Sequence, residues 1–255
     1  MRILEANNIS KYFGGLKALN EVSFHVDAGE ILGIIGPNGS GKTTMFNVLS
    51  GRFKPSRGRI IFRGEDITGL AMNQVNKKGL VRTFQEISVW KEETVLDNLL
   101  LAAYQNRKAG LLSWLANTRN AQQENLSIMV IADKIMEYMR ILDLKGEVAK
   151  NLPHGKLRAL GVCIALITEP KMLLLDEPVT GMNPVEKSEM VELVKGLRKH
   201  GMTVIIIEHD MATIMNLVDR LIVLEEGRKI AEGVASEILR HPAVVEAYLG
   251  SEEKY

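Results

Sequence analysis

The sequence predicts an α/β fold in which a mixed sheet carries an N-terminal antiparallel β layer and an inserted α-helical subdomain. Three observations point there. Short apolar or alternating segments at residues 3–4, 22–26 and 59–62, bounded by Gly, Asn or Asp, open the chain in β structure. Apolar runs at 31–35, 172–175 and 203–207 read as strands buried on both faces, the mark of a parallel sheet. Most of the helical signal falls at about 86–150. Taken in order, the run 31–35 leads into a glycine-rich turn at 36–41 and a helix from Lys42 to about Ser50, closed by Gly51. Within the insert, Ile128, Ile131, Ile135, Met139 and Leu142 recur at spacings of three and four, one face of a helix. Beyond the strand at 172–175, Asn183 can cap and Pro184 can open a helix whose stripe is Met190, Leu193, Val194 and Leu197. The organisation is therefore a core of 1–85 and 165–255, holding the β layer and C-terminal segment, interrupted by an α-helical subdomain at 86–164. No internal repeat or low-complexity tract competes with it.

Composition suits a chain with a proper core. Hydrophobic residues make up 46% and charged residues 25% of 255, far from the balance of a disordered chain. Lys plus Arg number 32 and Asp plus Glu 31, so a net charge of +1 offers no global field to draw in nucleic acid or anionic lipid. The local cluster Arg52, Lys54, Arg57, Arg59 and Arg63 reads as a solvated face. Cys163 alone excludes an intrachain disulfide framework and suits a reducing cytosol. No apolar run approaches the ~18 residues of a membrane-spanning helix, and residues 1–11 lack the apolar core of an export signal. The 12 methionines read as fillers of core gaps. Trp90 and Trp114 flank the helical insert, where core packing and contact with a membrane partner are equally open.

The chemistry begins at Gly36-Pro37-Asn38-Gly39-Ser40-Gly41-Lys42-Thr43, which matches G-x-x-x-x-G-K-[ST] after a strand and at the start of a helix. Glycines let backbone N–H groups turn inward around a phosphate chain, and the helix N-terminus adds a favourable dipole. Lys42 supplies a point charge at the β/γ-phosphates, Thr43 can place its hydroxyl on Mg²⁺, and Thr44 completes the nucleotide-binding set. With the buried strands, this predicts a P-loop NTPase (RecA-like) core. The strand at 172–175 ends in Asp176 and Glu177. The first acid suits Mg²⁺ beside the nucleotide, and the second is placed to polarise a water for attack on the γ-phosphate. Alone, an acid pair closing a strand is as often a surface feature; coupled to Lys42 it points to a nucleotide site.

On these ordered motifs the chain resembles, over nearly its whole length, the nucleotide-binding subunit of ATP-binding cassette transporters. The resemblance implies that Phe13, in Lys11-Tyr12-Phe13-Gly14-Gly15, stacks on adenine. It implies that Gln85, in Arg82-Thr83-Phe84-Gln85, reaches Mg²⁺ and water and joins the core to the helical subdomain. Leu152-Pro153-His154-Gly155-Lys156 lies at the place of the signature, which acts on ATP held by the partner subunit. His209, in Glu208-His209-Asp210, falls where the family has its γ-phosphate-sensing histidine. Without the resemblance these would be a half-buried aromatic, a solvated glutamine and a strand-end histidine. The implied catalytic set is Glu177, His209 and Gln85; the implied metal set is Thr43, Gln85 and Asp176. Arg82-Thr83-Phe84-Gln85, the long insert, Leu-Pro-x-Gly, Gly181-Met182-Asn183-Pro184 and Ala247-Tyr248-Leu249-Gly250 look like the ATPases of branched-chain amino acid importers, and importers of urea or short amides look similar.

The resemblance implies an ATP-hydrolysing subunit that uses ATP and Mg²⁺ and couples dimerisation to permease movement. Its implied place is peripheral, on the cytoplasmic face of the cell (inner) membrane. Its implied partners are a second ATPase subunit, two integral-membrane permease subunits and a periplasmic or extracellular solute-binding protein, with no nucleic acid. Such relatives usually carry Gln where Lys156 sits, Glu where Gly161 sits and Arg where Ile164 sits, so the second ATPase subunit is expected to be a different chain with an intact signature. Two alternatives stay open: an ATP-gated clamp with weak hydrolysis, and a soluble cassette ATPase acting on nucleic acid. Against the latter stand a single phosphate loop and the lack of heptads or a basic domain.

Overall fold

The computed structural model describes residues 1–83, 89–103, 119–238 and 240–252. They fall into two compact units, one of 1–82, 171–178 and 194–255, the other of 83–170 and 179–193.

The first unit holds two sheets. Strands β1 (Arg2–Phe13), β2 (Leu16–Asp27), β4 (Arg57–Phe62) and β5 (Glu65–Asp66) form an antiparallel sheet in the order β2-β1-β4-β5. Period-two alternation builds it: Val22, Phe24 and Val26 are buried while their neighbours in β2 face outward or sit half-covered. These strands run longer than the apolar fragments at 3–4 and 22–26. Register shifts between Ala6 and Ile9, with Asn8 at φ 51°, break the alternation and hide the continuity of β1.

The six-stranded sheet has the order β10-β9-β3-β8-β7-β6, from β3 (Ile31–Ile35), β6 (Leu80–Arg82), β7 (Met172–Asp176), β8 (Thr203–Ile207), β9 (Arg220–Glu225) and β10 (Arg228–Val234). β9, β3, β8, β7 and β6 are parallel, and β10 returns antiparallel to β9, so the sheet is mixed as the sequence predicts. Every residue of β3, β7 and β8 is buried, which is why they appear as unbroken apolar runs. Leu32, Ile34, Leu174, Ile205 and Ile207 share one core with Met45, Phe46 and Leu49 of helix α1 (Lys42–Leu49) and with Leu4, Ala6 and Ile9 of the β layer. Burying α1 there fixes the helix that follows the glycine-rich turn.

The second unit is helical. It contains α3 (Val95–Ala103), α4 (Arg119–Tyr138) and α5 (His154–Leu166); the short α2 (Met72–Lys77) belongs to the first unit. The stripe at 128–142 needs correction. α4 stops at Tyr138, and its buried positions are Ala132 and Met136, followed by Met139 and Ile141, while Leu142 is 38% exposed. Arg140 at φ 57° is the reason, with Ile141 N–H on Met136 O and Arg140 N–H on Glu137 O closing the helix by a left-handed cap. Helix α6 (Pro184–Lys199) starts in this unit. Asn183 Oδ1 accepts from Val185 and Glu186 N–H at 2.9 and 3.0 Å, and Glu186 Oε2 accepts from Asn183 N–H at 3.0 Å, a capping box. Tyr138 donates to Leu193 O at 2.5 Å, which ties α4 to α6.

Candidate nucleotide site

The turn from β3 into α1 is held by its own lysine. Lys42 is 6% exposed, and its Nζ donates to Gly36 O at 2.7 Å and Pro37 O at 2.9 Å. Burial lowers the Lys42 pKa, and the Glu177 carboxylate acts in the opposite sense. Gly36 adopts φ 148°; a Cβ there would lie 2.0 Å from Leu224 O. Gly41, in the left-handed region at the start of α1, leaves the helix N-terminus without a side-chain cap. Ser40 Oγ is buried and has no hydrogen-bond partner among the described residues. An uncapped helix start beside an orphaned hydroxyl and a buried ammonium fits a phosphate chain. Asn38 and Gly39 are exposed, as is Thr43, and Thr44 is half-buried. From the C-terminal helix α8 (Pro242–Glu252), Tyr248 reaches the same turn: burial pushes its hydroxyl pKa up, and a backbone hydrogen bond from Gly36 pulls the other way.

The acids close β7 beside this turn's helix. Asp176 is 2% exposed, with Oδ2 at 2.7 Å from Arg82 Nη2. Arg82 Nη1 donates to Asn47 Oδ1, also at 2.7 Å. Glu177 sits at φ 49°, a backbone strained for a non-glycine residue, with its N–H on Ile207 O at 2.9 Å. That pose brings Glu177 Oε1 to 2.7 Å from Nε2 of His209, which follows β8 by two residues. The Glu177 side chain is 12% exposed and the His209 side chain 47%, so the pair lies at a surface opening. Its neighbour Asp210 caps α7 (Met211–Leu217) by accepting from Thr213 N–H at 3.0 Å.

The described residues hold no group of three or more His, Cys, Asp or Glu that could cage a metal. Thr43 and Asp176 offer hard oxygen donors, a set that fits Mg²⁺ arriving with nucleotide phosphates better than a site built from protein alone. Phe13 is 42% exposed at the end of β1, edge-to-face with Phe53 at a centroid distance of 5.4 Å, and Lys11 Nζ stands 5.0 Å from its ring. A partly open ring braced this way is available for stacking. Gln85 lies outside the described residues, as does Trp114; Trp90 is 49% exposed.

Leu152 to Lys156 belong to the second unit. Pro153 is the N-cap of α5, His154 its first residue, and Leu152 and Gly155 are buried. A Cβ at Gly155 would lie 2.8 Å from Glu186 Oε1, and one at Gly181 would lie 2.9 Å from His154 Cε1. Lys156 Nζ donates to Arg140 O at 3.0 Å. Sequence reasoning did not single out Arg82 and Asn47, or give Tyr248 a contact with the glycine-rich turn. The available signal was a charged residue at the end of an apolar strand, Leu80–Arg82, which is uncommon unless paired.

Comparisons with known proteins bear on this geometry. Residues 19–180 match the family described as ABC transporter, and residues 228–254 match the one described as branched-chain amino acid ATP-binding cassette transporter. The chain is 39% identical over 249 residues to the high-affinity branched-chain amino acid transport ATP-binding protein LivG of Escherichia coli (strain K12), covering 97% of this chain and 98% of that protein. It is 42% identical over 252 residues to the LivG protein of Salmonella typhimurium (strain LT2), with the same coverage of 97% and 98%. Among solved structures, a nucleotide-free ATP-binding cassette from an ABC transporter superposes with a TM-score of 0.86 at 37% identity, covering 97% of this chain and 99% of that one. The ADP conformation of an ATP-binding cassette gives 0.86 at 38% identity, covering 98% and 99%. The chain belongs to the ATP-binding cassette family of ABC transporters, among the branched-chain amino acid transport ATP-binding proteins.

Proposed function

We propose that this ATPase is the energy-supplying subunit of an importer for branched-chain amino acids or a related small solute, and that its own residues do the following work. Gly36 to Thr44 hold the phosphates, with Lys42 as the charge and Ser40 Oγ as a further donor. Phe13 stacks on adenine. Thr43, Asp176 and Gln85 would hold Mg²⁺, which would neutralise charge on the phosphates. Glu177 orients and deprotonates the attacking water, and His209, hydrogen-bonded to it at 2.7 Å, holds that carboxylate in place and senses the γ-phosphate. Leu152 to Lys156 act on the nucleotide of a second ATPase subunit. Two permease subunits and a solute-binding protein complete the assembly. Among the described residues no helix is long and apolar enough to cross a membrane; the proposed place of the chain is peripheral, at the cytoplasmic membrane face, against the permeases.

The observation that carries the reading is the strained Glu177, aimed at His209 and electrostatically coupled to the buried Lys42. Glu177→Gln tests it. The variant should keep ATP binding and lose roughly 10²-fold or more in single-turnover hydrolysis, as removal of a positioned general base does. A near-normal rate would remove Glu177 from the mechanism.

A further inference from the structure

We propose that Arg82 is a positioning residue for the metal side of the nucleotide site, where its guanidinium holds the Asp176 carboxylate and the Asn47 amide oxygen in one arrangement. The end of β7 and the helix begun by Lys42 and Thr43 thereby keep a fixed spacing. This rests on the reading of Asp176 as a metal-facing acid.

The contacts form one buried fork. Arg82 Nη2 meets Asp176 Oδ2 at 2.7 Å, with side chains 4% and 2% exposed. Arg82 Nη1 donates to Asn47 Oδ1 at 2.7 Å and stands 3.5 Å from Ser50 Oγ. The guanidinium carbon lies 5.5 Å from the centre of the Phe46 ring. Phe46 and Asn47 are on α1, and Ser50 is its C-cap. One planar cation therefore reaches a strand end and a helix at once, with the ring limiting how it can tilt. A lysine, as a point charge on a flexible stem, cannot reproduce two directed bonds from one rigid plane.

Stability alone is a weak account of the fork. The desolvation penalty of a buried ion pair often cancels its attraction, and an apolar pair of similar volume does as well or better. What the fork supplies is orientation: Asp176 and α1 are joined through atoms whose relative positions the guanidinium sets. Partners that orient a metal-facing carboxylate from behind are typically worth 10- to 100-fold in metal affinity. Arg82 is also the last residue of the first unit before the chain enters the second at Thr83.

The test uses the full chain and a fluorescent N-methylanthraniloyl ADP, with affinity measured in Mg²⁺ and again in EDTA. The ratio of the two reads the metal-dependent part of binding. Arg82→Lys keeps the charge and loses the fork; the ratio should fall about tenfold while affinity in EDTA stays within about twofold. An unchanged ratio overturns the proposal, and so does a variant in which the melting temperature and both affinities fall together. Where Arg82→Lys does not fold, Asn47→Ala leaves the ion pair in place and removes one prong; a smaller fall in the ratio is expected, and no fall overturns the proposal. Asp176→Asn separates the two levels. If it leaves the ratio untouched, the reading of Asp176 fails and the inference with it; if it abolishes the ratio while Arg82→Lys does not move it, only the inference fails.

Discussion

Replacing Gly36 with alanine probes how closely the glycine-rich turn is laid against the strand beside it. Gly36 has φ 148°, and a Cβ built on it falls 2.0 Å from Leu224 O and 2.7 Å from Ser40 Oγ. Leu224 is backbone of β9, which pairs with β3 as far as Ile35 and Val223, so it has no freedom to swing aside. Ordinary C···O approach is about 3.3 Å or more. Turn or strand must therefore give by more than 1 Å, roughly the gap between those distances. Overpacking of this kind costs about 1–3 kcal/mol, and the unfavourable backbone adds about 1–3 kcal/mol. A loss of about 2–6 kcal/mol is severe against a typical total of 5–15 kcal/mol. Gly39 is the internal control. Its φ is 79° but a Cβ there meets nothing within 4 Å, so Gly39→Ala should cost only the left-handed strain of about 1–2 kcal/mol. Urea unfolding without nucleotide is the right assay, because bound ligand would add its own linkage. Equal midpoints for the two variants, or a parent-like Gly36→Ala, would refute the packing argument.

Two further outcomes are expected. Cys163 is fully buried, and burial pushes its thiol pKa far up. The unfolded chain ionises this thiol from about pH 8.5 while the folded chain keeps it protonated, so the stability it contributes is present below that pH and lost as pH rises, by up to about 1.4 kcal/mol per unit. Urea midpoints at pH 8 and 10 should therefore fall less steeply for Cys163→Ala than for the parent; identical slopes would contradict the burial argument. For the assembly, ATPase rate measured against the ratio of this chain to a second ATPase subunit with an intact signature should peak in the mixture. Equal turnover by this chain alone would show that Lys156, Gly161 and Ile164 are acceptable in its signature region.

Legibility in the sequence followed burial. β3 and β8 coincide with the apolar runs at 31–35 and 203–207, because strands covered on both faces leave no polar residue to blur their limits. Asn183 and Pro184 marked the start of α6 because capping is local chemistry. The stripe at 128–142 ran past the end of α4 because periodicity is blind to a single left-handed residue, and Arg140 is a residue type with no general preference for that conformation. At the candidate site, Glu177 and His209 could be named but not joined: they are 32 residues apart, and their contact needs β7 and β8 to be neighbours in the sheet. Arg82 read only as the first letter of a motif. Its partners Asn47 and Asp176 lie 35 and 94 residues away, so a charge closing an apolar strand signals that a partner exists without naming it.

Lys156 shows why a departure from a family pattern is not read from residue type alone. In sequence it is a cation where the family resemblance leads one to expect an amide, at the start of a helix whose N-terminus already favours anions. In the second unit its ammonium is directed to Arg140 O, two residues past the end of α4, where a cation meets the negative end of a helix dipole. The charge therefore has a favourable partner within its own unit. The same segment, Leu152 to Lys156, is pinned twice more, by Glu186 against Gly155 and by His154 against Gly181, both closer than a methyl group would allow. Glu186 also caps α6 through Asn183. Any displacement of Leu152 to Lys156 thus meets the start of α6 and Gly181, four residues after Glu177 in the chain.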